Sequence, residues 1–489
     1  MTSTRPAAVI VLAAGDGTRM KSSTPKVLHS IGGRTLLGHV LAAARGVQPD
    51  HVVVVVRRER DRVAAHVAEV DPHAIVADQD DIDGTGRATE CGLEALPGDL
   101  AGTVIVTVAD APLLTAQTLA DLTARHAEGG CEITMVTASL ADPTGYGRVL
   151  RAADGGVIGT VEERDATPDQ RRLTEVNSGL YVFEASTLRD ALGQVGTDNA
   201  QGEKYLTDVL ALVHAEGGRI QTHPVADTWQ TEGVNDRVQL ARLGAELNRR
   251  VVEGWMRAGV TVVDPATTWI DVDVSLGRDV TIRPHTQVLG ASTIGDDAVL
   301  GPDSTLTDVE IGAGASVVRT QATLAVIGAG ATVGPFAYLR PGTELGTGGK
   351  IGGFVETKNA VIGPGAKVPH LSYVGDADIG EGTNIGAGTI VANFDGVAKH
   401  HTSIGAHCRT GANNTFVAPV VVGDGAATGA GAVVRRDVPP GALAVTTGPQ
   451  RHVRDWVRRK RPGTPAAEAV DRAEAAAVQE AASPQGDVS

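Results

Sequence analysis

A glycine-rich turn followed by two basic residues comes directly after the first apolar run of the chain. Residues 9–14 are apolar, Gly15-Asp16-Gly17-Thr18-Arg19 follows them, and Lys26 comes soon afterwards. Backbone N–H groups of such a turn, at the end of a strand, can donate to phosphate oxygens, and Arg19 and Lys26 add positive charge. The segment predicts a phosphate site. The two glycines alone would fit a purely structural turn equally well.

A carboxylate stands at the end of a second apolar run. Residues 104–108, which are apolar except for Thr107, lead through Ala109 to Asp110. Sheets of parallel strands hold their ligands at the carboxyl ends of the strands, and Mg²⁺ prefers a few protein oxygens together with phosphates and waters. Asp110 is therefore a candidate metal ligand, with Asn235 as its candidate partner. Considered alone, Asp110 could also be the N-cap of a helix.

A third group of reactive side chains lies far along the chain, where Arg340, Lys358 and His370 follow one another at short intervals. Arginine and lysine could bind the phosphate of a sugar phosphate. A histidine with an ordinary pKa of about 6.5 could accept a proton from an attacking amine. Surface histidines are more often solvated, and we expect that of His400 and His401.

Two kinds of architecture must position these groups. Over residues 1–227 short apolar runs alternate with amphipathic stretches, a pattern typical of buried parallel strands and covering helices, so we predict a doubly wound α/β domain. Residues 228–262 contain an apolar stripe at helical spacing, which predicts a linking helix.

Residues 263–448 carry a short repeat in which an aliphatic residue precedes glycine. Ile327 and Val333 are six residues apart, as are Ile379 and Ile385. This hexapeptide pattern predicts a parallel β-helix, in which aliphatic residues point inward from three flat faces and small residues turn the corners. A flexible glycine-rich linker would not keep aliphatic residues in register. Residues 354–358, 368–374 and 392–401 depart from the repeat and are predicted to be loops.

Composition excludes several classes of protein. The chain has 489 residues, 61 glycines and a formal net charge of −15, which argues against general binding of nucleic acid. Its three cysteines are widely spaced without a CxxC pair, so neither a disulfide framework nor a zinc site is indicated. No apolar run reaches about 20 residues and no signal peptide is evident. We therefore expect a cytoplasmic protein that does not contact membranes.

The last segment, residues 449–489, changes character twice. Trp456 lies in a basic stretch that predicts a helix. From about Pro462 the chain is rich in Ala, Pro, Glu and Gln, and this part is predicted to be disordered.

The complete set of motifs resembles one family. The string from Leu12 to Met20 with Pro25-Lys26-Val27-Leu28 is similar to sugar-nucleotide pyrophosphorylases. With the further motifs, the chain from about Val9 to Trp456 resembles the bifunctional N-acetylglucosamine-1-phosphate uridyltransferases and glucosamine-1-phosphate acetyltransferases. The basic stretch around Trp456 resembles the actinobacterial branch, although a solvated helix remains an alternative. The further motifs are Gln79, Gly84-Thr85-Gly86, Gly145-Tyr146-Gly147-Arg148, Val161-Glu162 and Glu175-Val176-Asn177-Ser178-Gly179.

The resemblance implies a uridyltransferase site in the N-terminal domain. N-acetylglucosamine 1-phosphate would attack the α-phosphorus of UTP in line, with Lys26 and Arg19 as the catalytic cations and Mg²⁺ held by Asp110 and Asn235. Gln79, Gly84 and Thr85 would read uracil, and Gly147, Glu162 and Asn177 would hold the sugar. The implied residues that bind UTP or UDP-N-acetylglucosamine are Leu12, Ala13, Ala14, Gly15, Lys26, Gln79, Gly84, Thr85, Gly147, Glu162, Asn177 and Asn235.

The resemblance also implies an acetyltransferase site on a left-handed β-helix that forms a homotrimer. His370 would be the catalytic base for acetyl transfer from acetyl-CoA to glucosamine 1-phosphate. The two reactions would supply precursors of peptidoglycan and the cell envelope. The implied sugar-phosphate ligands are Arg340, Lys358, Tyr373 and Asn384, and the implied acetyl-CoA contacts are Ala387, Asn393, Phe394, Ala412 and Ala430.

Four features depart from the family's usual pattern. Val108-Ala109 replaces Tyr-Gly before the metal aspartate, residues 80–83 are unusually acidic beside the implied uracil pocket, Phe394 replaces Tyr, and Ala412 replaces Ser. The alternative functions are a single-activity nucleotidyltransferase with a non-catalytic β-helix and a non-catalytic nucleotide sensor. Arg340, Lys358 and His370 argue against the first, and Lys26 with Asp110 argues against the second.

Overall fold

The first part of the chain is an α/β domain in a computed structural model that describes residues 5–482. Its strands are β1 (Ala8–Leu12), β2 (Ser30–Ile31), β3 (Arg34–Thr35), β4 (His51–Val56), β5 (Ile75–Asp78), β6 (Thr103–Val108), β7 (Ile133–Ser139), β8 (Arg148–Arg151), β9 (Val157–Val161), β10 (Glu175–Glu184) and β11 (Ile220–Pro224). Its helices are α1 (Leu36–Gly46), α2 (Arg60–Val70), α3 (Thr85–Glu94), α4 (Ala116–Gly129), α5 (Ala185–Leu192) and α6 (Asp208–Ala215).

The main sheet has the strand order β11-β7-β10-β6-β1-β4-β5. Alternate residues of β1 enter different cores, because Ala8 and Ile10 pack on one face of the sheet and Val9 and Val11 on the other. The sheet is thus covered on both faces, which confirms the predicted fold class. The antiparallel pairings were not foreseen: β10 runs antiparallel to β6, β7 and β8, and β8 runs antiparallel to β9, so the sheet is mixed.

The predicted linking helix is α7 (Arg237–Arg257), and it contributes to both domains. Leu243 packs with Met20, Leu113 and Val234 beneath the nucleotide domain, whereas Val252 belongs to the core of the β-helix. The buried side chain of Asn248 donates to the Thr268 carbonyl (2.8 Å) and accepts from the Ile270 N–H (3.0 Å). These bonds satisfy buried backbone groups of the first coil, so α7 caps the β-helix.

The β-helix is built from short parallel strands. They are β12 (Thr261–Val262), β13 (Trp269–Ile270), β14 (Ser275–Leu276), β15 (Thr281–Ile282), β16 (Thr286–Leu289), β17 (Thr293–Ile294), β18 (Val299–Leu300), β19 (Ser304–Thr307), β20 (Glu310–Ile311), β21 (Ser316–Val317), β22 (Thr320–Thr323), β23 (Ala325–Ile327), β24 (Thr332–Val333), β25 (Ala337–Leu339), β26 (Thr343–Leu345), β27 (Lys350–Gly353), β28 (Glu356–Ile362), β29 (Lys367–His370), β30 (Tyr373–Ile379), β31 (Ile390–Ala392), β32 (Thr402–Ile404), β33 (Thr415–Val417), β34 (Val420–Val422), β35 (Ala427–Thr428), β36 (Val433–Val434) and β37 (Leu443–Ala444).

The hexapeptide repeat forms the stacked core that it predicts. Ile282, Leu300, Val317 and Val333 are paired in register on successive coils, and all four are buried. This arrangement is consistent with the predicted left-handed β-helix. Two of the three predicted loops are wrong, because residues 356–358 start β28, and β29 and β30 cover most of 368–374. These stretches lack the hexapeptide sequence pattern, but buried residues such as Val355 and Val374 still anchor them in the coil.

The C-terminal segment contains α8 (Trp456–Lys460) and α9 (Pro465–Ala482). Disorder, which we predicted from about Pro462, is therefore wrong for Pro465–Ala482. Alanine and glutamate have high helix propensity, and Arg458 pairs with Asp471 (2.7 Å) and Glu474 (2.5 Å) on α9. The rest of the predicted disordered tail, residues 483–489, lies outside the described residues. Among residues 5–482, no helix is long and apolar enough to cross a membrane.

Candidate active sites

A cleft of about 360 Å³ opens at the carboxyl end of the central strands. Gly17 has a left-handed backbone (φ 59°), and a Cβ on it would lie 2.6 Å from Cβ of Lys26, so glycine lets the turn pack against that lysine. The structure brings most of the predicted nucleotide residues together here. The cleft is lined by Leu12, Ala13, Ala14, Gly15, Asp16, Lys26, Val27, Arg57, Gln79, Asp83, Gly84, Thr85, Ala88, Val108, Asp110 and Glu203.

Four of the predicted residues form one polar cluster. Lys26 makes an ion pair with Asp110, while Oδ1 of Asn235 accepts hydrogen bonds from Arg19 (2.8 Å) and Lys26 (3.4 Å). The backbone fixes the two segments, because Val234 N–H donates to the Asp110 carbonyl (2.9 Å). The Asp110 and Asn235 side-chain oxygens therefore converge on one cationic group. This donor set fits a hard divalent cation.

The segment predicted to read a base is held rigidly. The buried Gln79 amide donates to the carbonyls of Ile82 (2.8 Å) and Gly84 (3.2 Å). Gly84 has φ 115°, and a Cβ there would lie 2.2 Å from the Lys204 carbonyl oxygen. The Thr85 hydroxyl accepts from Leu206 N–H at 3.1 Å. Only glycine allows this close approach of two backbone segments.

A second cleft adjoins the first and shares Leu12, Thr85 and Val108 with it. It contains the three residues predicted to hold the sugar, Gly147, Glu162 and Asn177.

One carboxyl group of the second cleft, that of Glu162, has a shifted pKa. Burial raises the pKa of Glu162 above its ordinary value of 4.5, and the nearby carboxylates of Asp165, Asp208 and Glu203 raise it further. The backbone sets the geometry, because Asn177 N–H donates to the Gly147 carbonyl at 2.9 Å. Glu162 is thus a carboxyl group whose charge is sensitive to small changes in its surroundings.

On the β-helix, the predicted phosphate ligands lie on adjacent coils. Arg340 N–H donates to the Thr357 carbonyl (2.9 Å), so Arg340 lies beside Lys358 in the next coil. Arg340 also pairs with Glu356 at 3.0 Å. Lys399 lies close enough to Lys358 to lower the pKa of its ammonium group. Arg340, Lys358 and Lys399 are therefore a cationic group to which an anion would be attracted.

His370 is exposed at a corner of the coil, at the end of β29. Gly388 N–H donates to the His370 carbonyl (3.1 Å), and Asn384 is paired with Lys367, so Asn384 and Ala387 belong to the next coil beside this corner. Tyr373 is paired in register with Glu356 and its hydroxyl lies near Asn393 (3.5 Å).

The predicted acetyl-CoA residues form two groups. The first group lies at equivalent corners of successive coils and consists of Ala387, Ala412 and Ala430. Asn413 N–H donates to the Ala387 carbonyl (2.7 Å), and Gly431 N–H donates to the Ala412 carbonyl (2.8 Å), so each corner stacks on the next. Phe394 is 60% exposed in the loop of residues 393–401, the one predicted loop that does leave the coil. The Asn393 side chain is buried and donates to Asp376, and the Asn393 carbonyl accepts from His400 N–H (2.8 Å), so its polar side chain is already engaged within the protein.

Comparison with known proteins decides the family. Residues 9–192 match the MobA-like NTP transferase domain. The bifunctional protein GlmU of Kineococcus radiotolerans is 62% identical over 469 residues, 96% of this chain and 95% of the relative. The proteins of the same name from Mycolicibacterium vanbaalenii and Pseudarthrobacter chlorophenolicus are each 60% identical, over 95% of both chains. The chain belongs to the bifunctional GlmU family. The resemblance inferred from the motifs is thereby confirmed.

Two basic residues of this GlmU family member were missed by sequence reasoning. Arg57 lines the nucleotide cleft, and the signal for it was its position directly after the apolar run that forms β4. Lys399 approaches Lys358 from the loop of residues 393–401, which the sequence marked only as a break in the repeat. The acidic residues 80–83 also acquire an explanation, because Asp80 pairs with Arg87 (2.8 Å) and Asp83 pairs with Arg57.

The two neighbouring histidines behave as expected of surface residues. His400 pairs with Asp395 (2.8 Å) and His401 with Asp378 (3.0 Å). Neither pairing involves a predicted ligand of the acetyltransferase site.

Proposed function

We propose that this chain is a two-site enzyme of amino-sugar metabolism. Its β-helix transfers the acetyl group of acetyl-CoA to glucosamine 1-phosphate. The N-terminal domain then transfers the uridylyl group of UTP to N-acetylglucosamine 1-phosphate, releasing pyrophosphate and forming UDP-N-acetylglucosamine. The product serves as a precursor of peptidoglycan and the cell envelope. Because acetyl-CoA and UTP are intracellular metabolites, the protein acts in the cytoplasm.

The uridyltransferase assignment rests on one observation: two clefts share a wall made by Leu12, Thr85 and Val108. A nucleotide in the first cleft and a sugar phosphate in the second would meet at this wall. The sugar phosphate oxygen then attacks the α-phosphorus, a new P–O bond forms, and the bond to pyrophosphate breaks. Lys26 and Arg19 neutralise phosphate charge, so positioning and electrostatics suffice without a covalent nucleophile.

Individual contacts follow from the cleft each residue lines. Gln79, Gly84 and Thr85 bind uracil, and Gly147, Glu162 and Asn177 bind the N-acetylglucosamine moiety. Leu12, Ala13, Ala14 and Gly15 form the turn that approaches the nucleotide phosphates.

Asp110 and Asn235 would hold Mg²⁺. Their side-chain oxygens already converge on the ammonium group of Lys26, which supports a cation site between them. Bound there, Mg²⁺ would supply positive charge to the phosphates. Lys26 would remain beside it as a second, fixed positive charge. Calorimetric titration of Mg²⁺ should show binding that Asp110→Asn weakens by at least tenfold, and equal binding by both proteins would contradict the site.

The acetyltransferase assignment rests on the cationic group formed by Arg340, Lys358 and Lys399. Arg340 and Lys358 bind the phosphate of glucosamine 1-phosphate, while Tyr373 and Asn384 contact the sugar. His370 accepts a proton from the 2-amino group as the nitrogen attacks the thioester carbonyl. The C–N bond forms and the C–S bond breaks, and the departing CoA thiolate takes up the proton that His370 accepted, so that CoA leaves as the thiol. The acetyl-CoA contacts are Ala387, Asn393, Phe394, Ala412 and Ala430.

A homotrimer would cover an apolar stripe on the β-helix. Phe336, Phe354 and Leu371 occupy one corner on successive coils and are 51%, 64% and 61% exposed, and the two phenyl rings stack at 5.2 Å. Contiguous exposed apolar surface is typical of subunit interfaces. Light scattering should give a trimer for the wild type and for Val478→Glu on α9, but smaller species for Phe354→Glu. A monomeric wild type would overturn the proposal.

One assay tests both activities. The protein is incubated with glucosamine 1-phosphate, acetyl-CoA, UTP and Mg²⁺, and each component is omitted in turn. We expect N-acetylglucosamine 1-phosphate to form without UTP, and its UDP derivative to require all four components. Uridylyl transfer to supplied N-acetylglucosamine 1-phosphate without any acetyl transfer would instead identify a single-activity nucleotidyltransferase.

A further inference from the structure

The nucleotide cleft contains an ion pair that none of the proposed substrate contacts uses. Arg57 follows β4, and Asp83 stands directly before Gly84 in the base-reading segment, defined as residues 79–86. The Arg57 guanidinium pairs with the Asp83 carboxylate and also donates to the Asp81 carbonyl at 3.3 Å. Both residues line the cleft, and the Arg57 side chain is 24% exposed against 61% for Asp83. The pair therefore lies at the mouth of the cleft, with Asp83 toward solvent.

Strand pairing places Arg57 between the two halves of the nucleotide site. Ala13 N–H donates to the Val55 carbonyl (2.8 Å) on one side of β4, and Gln79 N–H donates to the Val56 carbonyl (2.9 Å) on the other. The phosphate-binding turn and the base-reading segment thus flank the end of β4. Lys204 N–H donates to the Asp83 carbonyl (2.8 Å) from the far side. The base-reading segment is consequently fastened at Asp83 from two directions.

Negative charge is abundant around this mouth. Asp16, Asp83 and Glu203 all line the cleft, and Arg58 pairs with Asp16 at 2.5 Å. A nucleoside triphosphate is itself strongly anionic, so each unpaired carboxylate here would oppose its entry. Like charges repel over several ångströms where water only partly screens them.

We propose that Arg57 is a positioning residue for the nucleoside triphosphate: it neutralises Asp83, so that the acidic end of the base-reading segment does not repel the incoming nucleotide. This inference rests on the proposed uridyltransferase function. Arg57 acts through Asp83 and makes no direct contact with the nucleotide. The acidic segment beside the base pocket is thereby made compatible with an anionic substrate.

The mechanism predicts that removing Asp83's charge compensates for the loss of Arg57. In Arg57→Met the unpaired Asp83 should raise the KM for UTP about fivefold, the upper range for a partly exposed ion pair, with kcat within about twofold. The double variant Arg57→Met with Asp83→Asn should recover to within about twofold of the wild-type KM. A residue that is merely structural would not be rescued by deleting its partner's charge.

A matched control is available on the neighbouring helix. Arg60 pairs with Asp78 (2.9 Å), and neither residue lines the cleft. Arg60→Met removes one positive charge nearby and should leave the KM for UTP unchanged. Acetyl transfer and the thermal midpoint, measured for every variant, report whether the chain is folded.

Calorimetric titration with UTP and Mg²⁺ separates the possible failures. The proposal is supported if the wild type binds UTP, if Arg57→Met binds it more weakly, and if the double variant regains the wild-type affinity. If the double variant bound UTP as weakly as Arg57→Met does, the proposal would be overturned in favour of direct contact between Arg57 and the nucleotide. Wild-type affinity in Arg57→Met would overturn this inference alone, whereas a wild type that binds no UTP would overturn the uridyltransferase function as well.

Discussion

Gly84 offers the sharpest test of how the base-reading segment is built. An alanine Cβ there would lie 2.2 Å from the Lys204 carbonyl oxygen, whereas an ordinary contact needs about 3.4 Å, so one segment must move by roughly 1 Å. That movement disrupts the bonds from Lys204 N–H to Asp83 and from Gly86 N–H to Lys204, both 2.8 Å long. Each is worth about 1 kcal/mol, and a non-glycine residue at φ 115° adds about 1–3 kcal/mol of strain.

The total, about 3–5 kcal/mol, is smaller than the roughly 5–15 kcal/mol that holds a typical domain together. We therefore expect Gly84→Ala to fold with a lowered thermal midpoint. A 1 Å displacement of positioning groups can reduce activity by about a hundredfold, and we expect a loss of that order in kcat/KM for UTP. Acetyl transfer by the separate β-helix should be unaffected.

The matched control for Gly84→Ala is Gly98→Ala. A Cβ on Gly98 meets nothing within 4 Å, so this variant should retain both the wild-type melting temperature and the wild-type kinetics. Steady-state uridylyl transfer and scanning calorimetry on the three proteins decide the matter. If Gly84→Ala matched Gly98→Ala in both measurements, the tight approach of Lys204 to the base-reading segment would be wrong.

Three other predictions concern the two proposed sites. Asp110→Ala should reduce uridylyl transfer by at least a hundredfold with normal CoA release, and His370→Ala should do the reverse; a folded variant that loses both activities would contradict separate sites. Burial raises the pKa of Glu162 above 4.5, so acidification should protonate this side chain at a higher pH than an ordinary glutamate. We expect its protonation to raise the KM for N-acetylglucosamine 1-phosphate. Glu162→Gln should abolish this pH dependence of KM, and a variant with the wild-type pH profile would exclude Glu162 as its source. Phe394→Tyr should change the KM for acetyl-CoA by less than about tenfold, because one hydroxyl contributes about 0.5–1.5 kcal/mol; an inactive wild type rescued by this variant would make the hydroxyl catalytic.

Sequence patterns were sufficient wherever the structure depends on local periodicity. The valines of β4 alternate between the two cores, and the aliphatic positions of the repeat all point into the β-helix. The direction of β10 was not predictable in this way, because a buried strand has the same run of apolar residues whether its neighbours are parallel or antiparallel to it. The apolar spacing within α7 does not show which of its residues are buried, since Val238 is 76% exposed whereas Leu243 is buried.

Charged side chains were harder to interpret because their partners are distant in sequence. Asp83 looked unfavourable beside a nucleotide, but Arg57, 26 residues earlier, pairs with it. Lys399 lowers the pKa of Lys358 from a loop that lies more than one coil further along the chain. In the tail, composition indicated disorder. The segment instead forms the helix α9, and two of its carboxylates pair with Arg458. Local sequence does not specify such pairs.

The position of α7 limits how the two halves of this protein can be separated. Leu243 completes the apolar cluster beneath the nucleotide site, and Val234 of the same cluster directly precedes Asn235. An N-terminal fragment that ended at residue 227 would lack a proposed magnesium ligand and leave Met20 and Leu113 uncovered. The β-helix without α7 would in turn lose the cap that Asn248 places on its first coil. Because α7 completes the core of both halves, a fragment of either half should fold on its own only if that fragment includes α7.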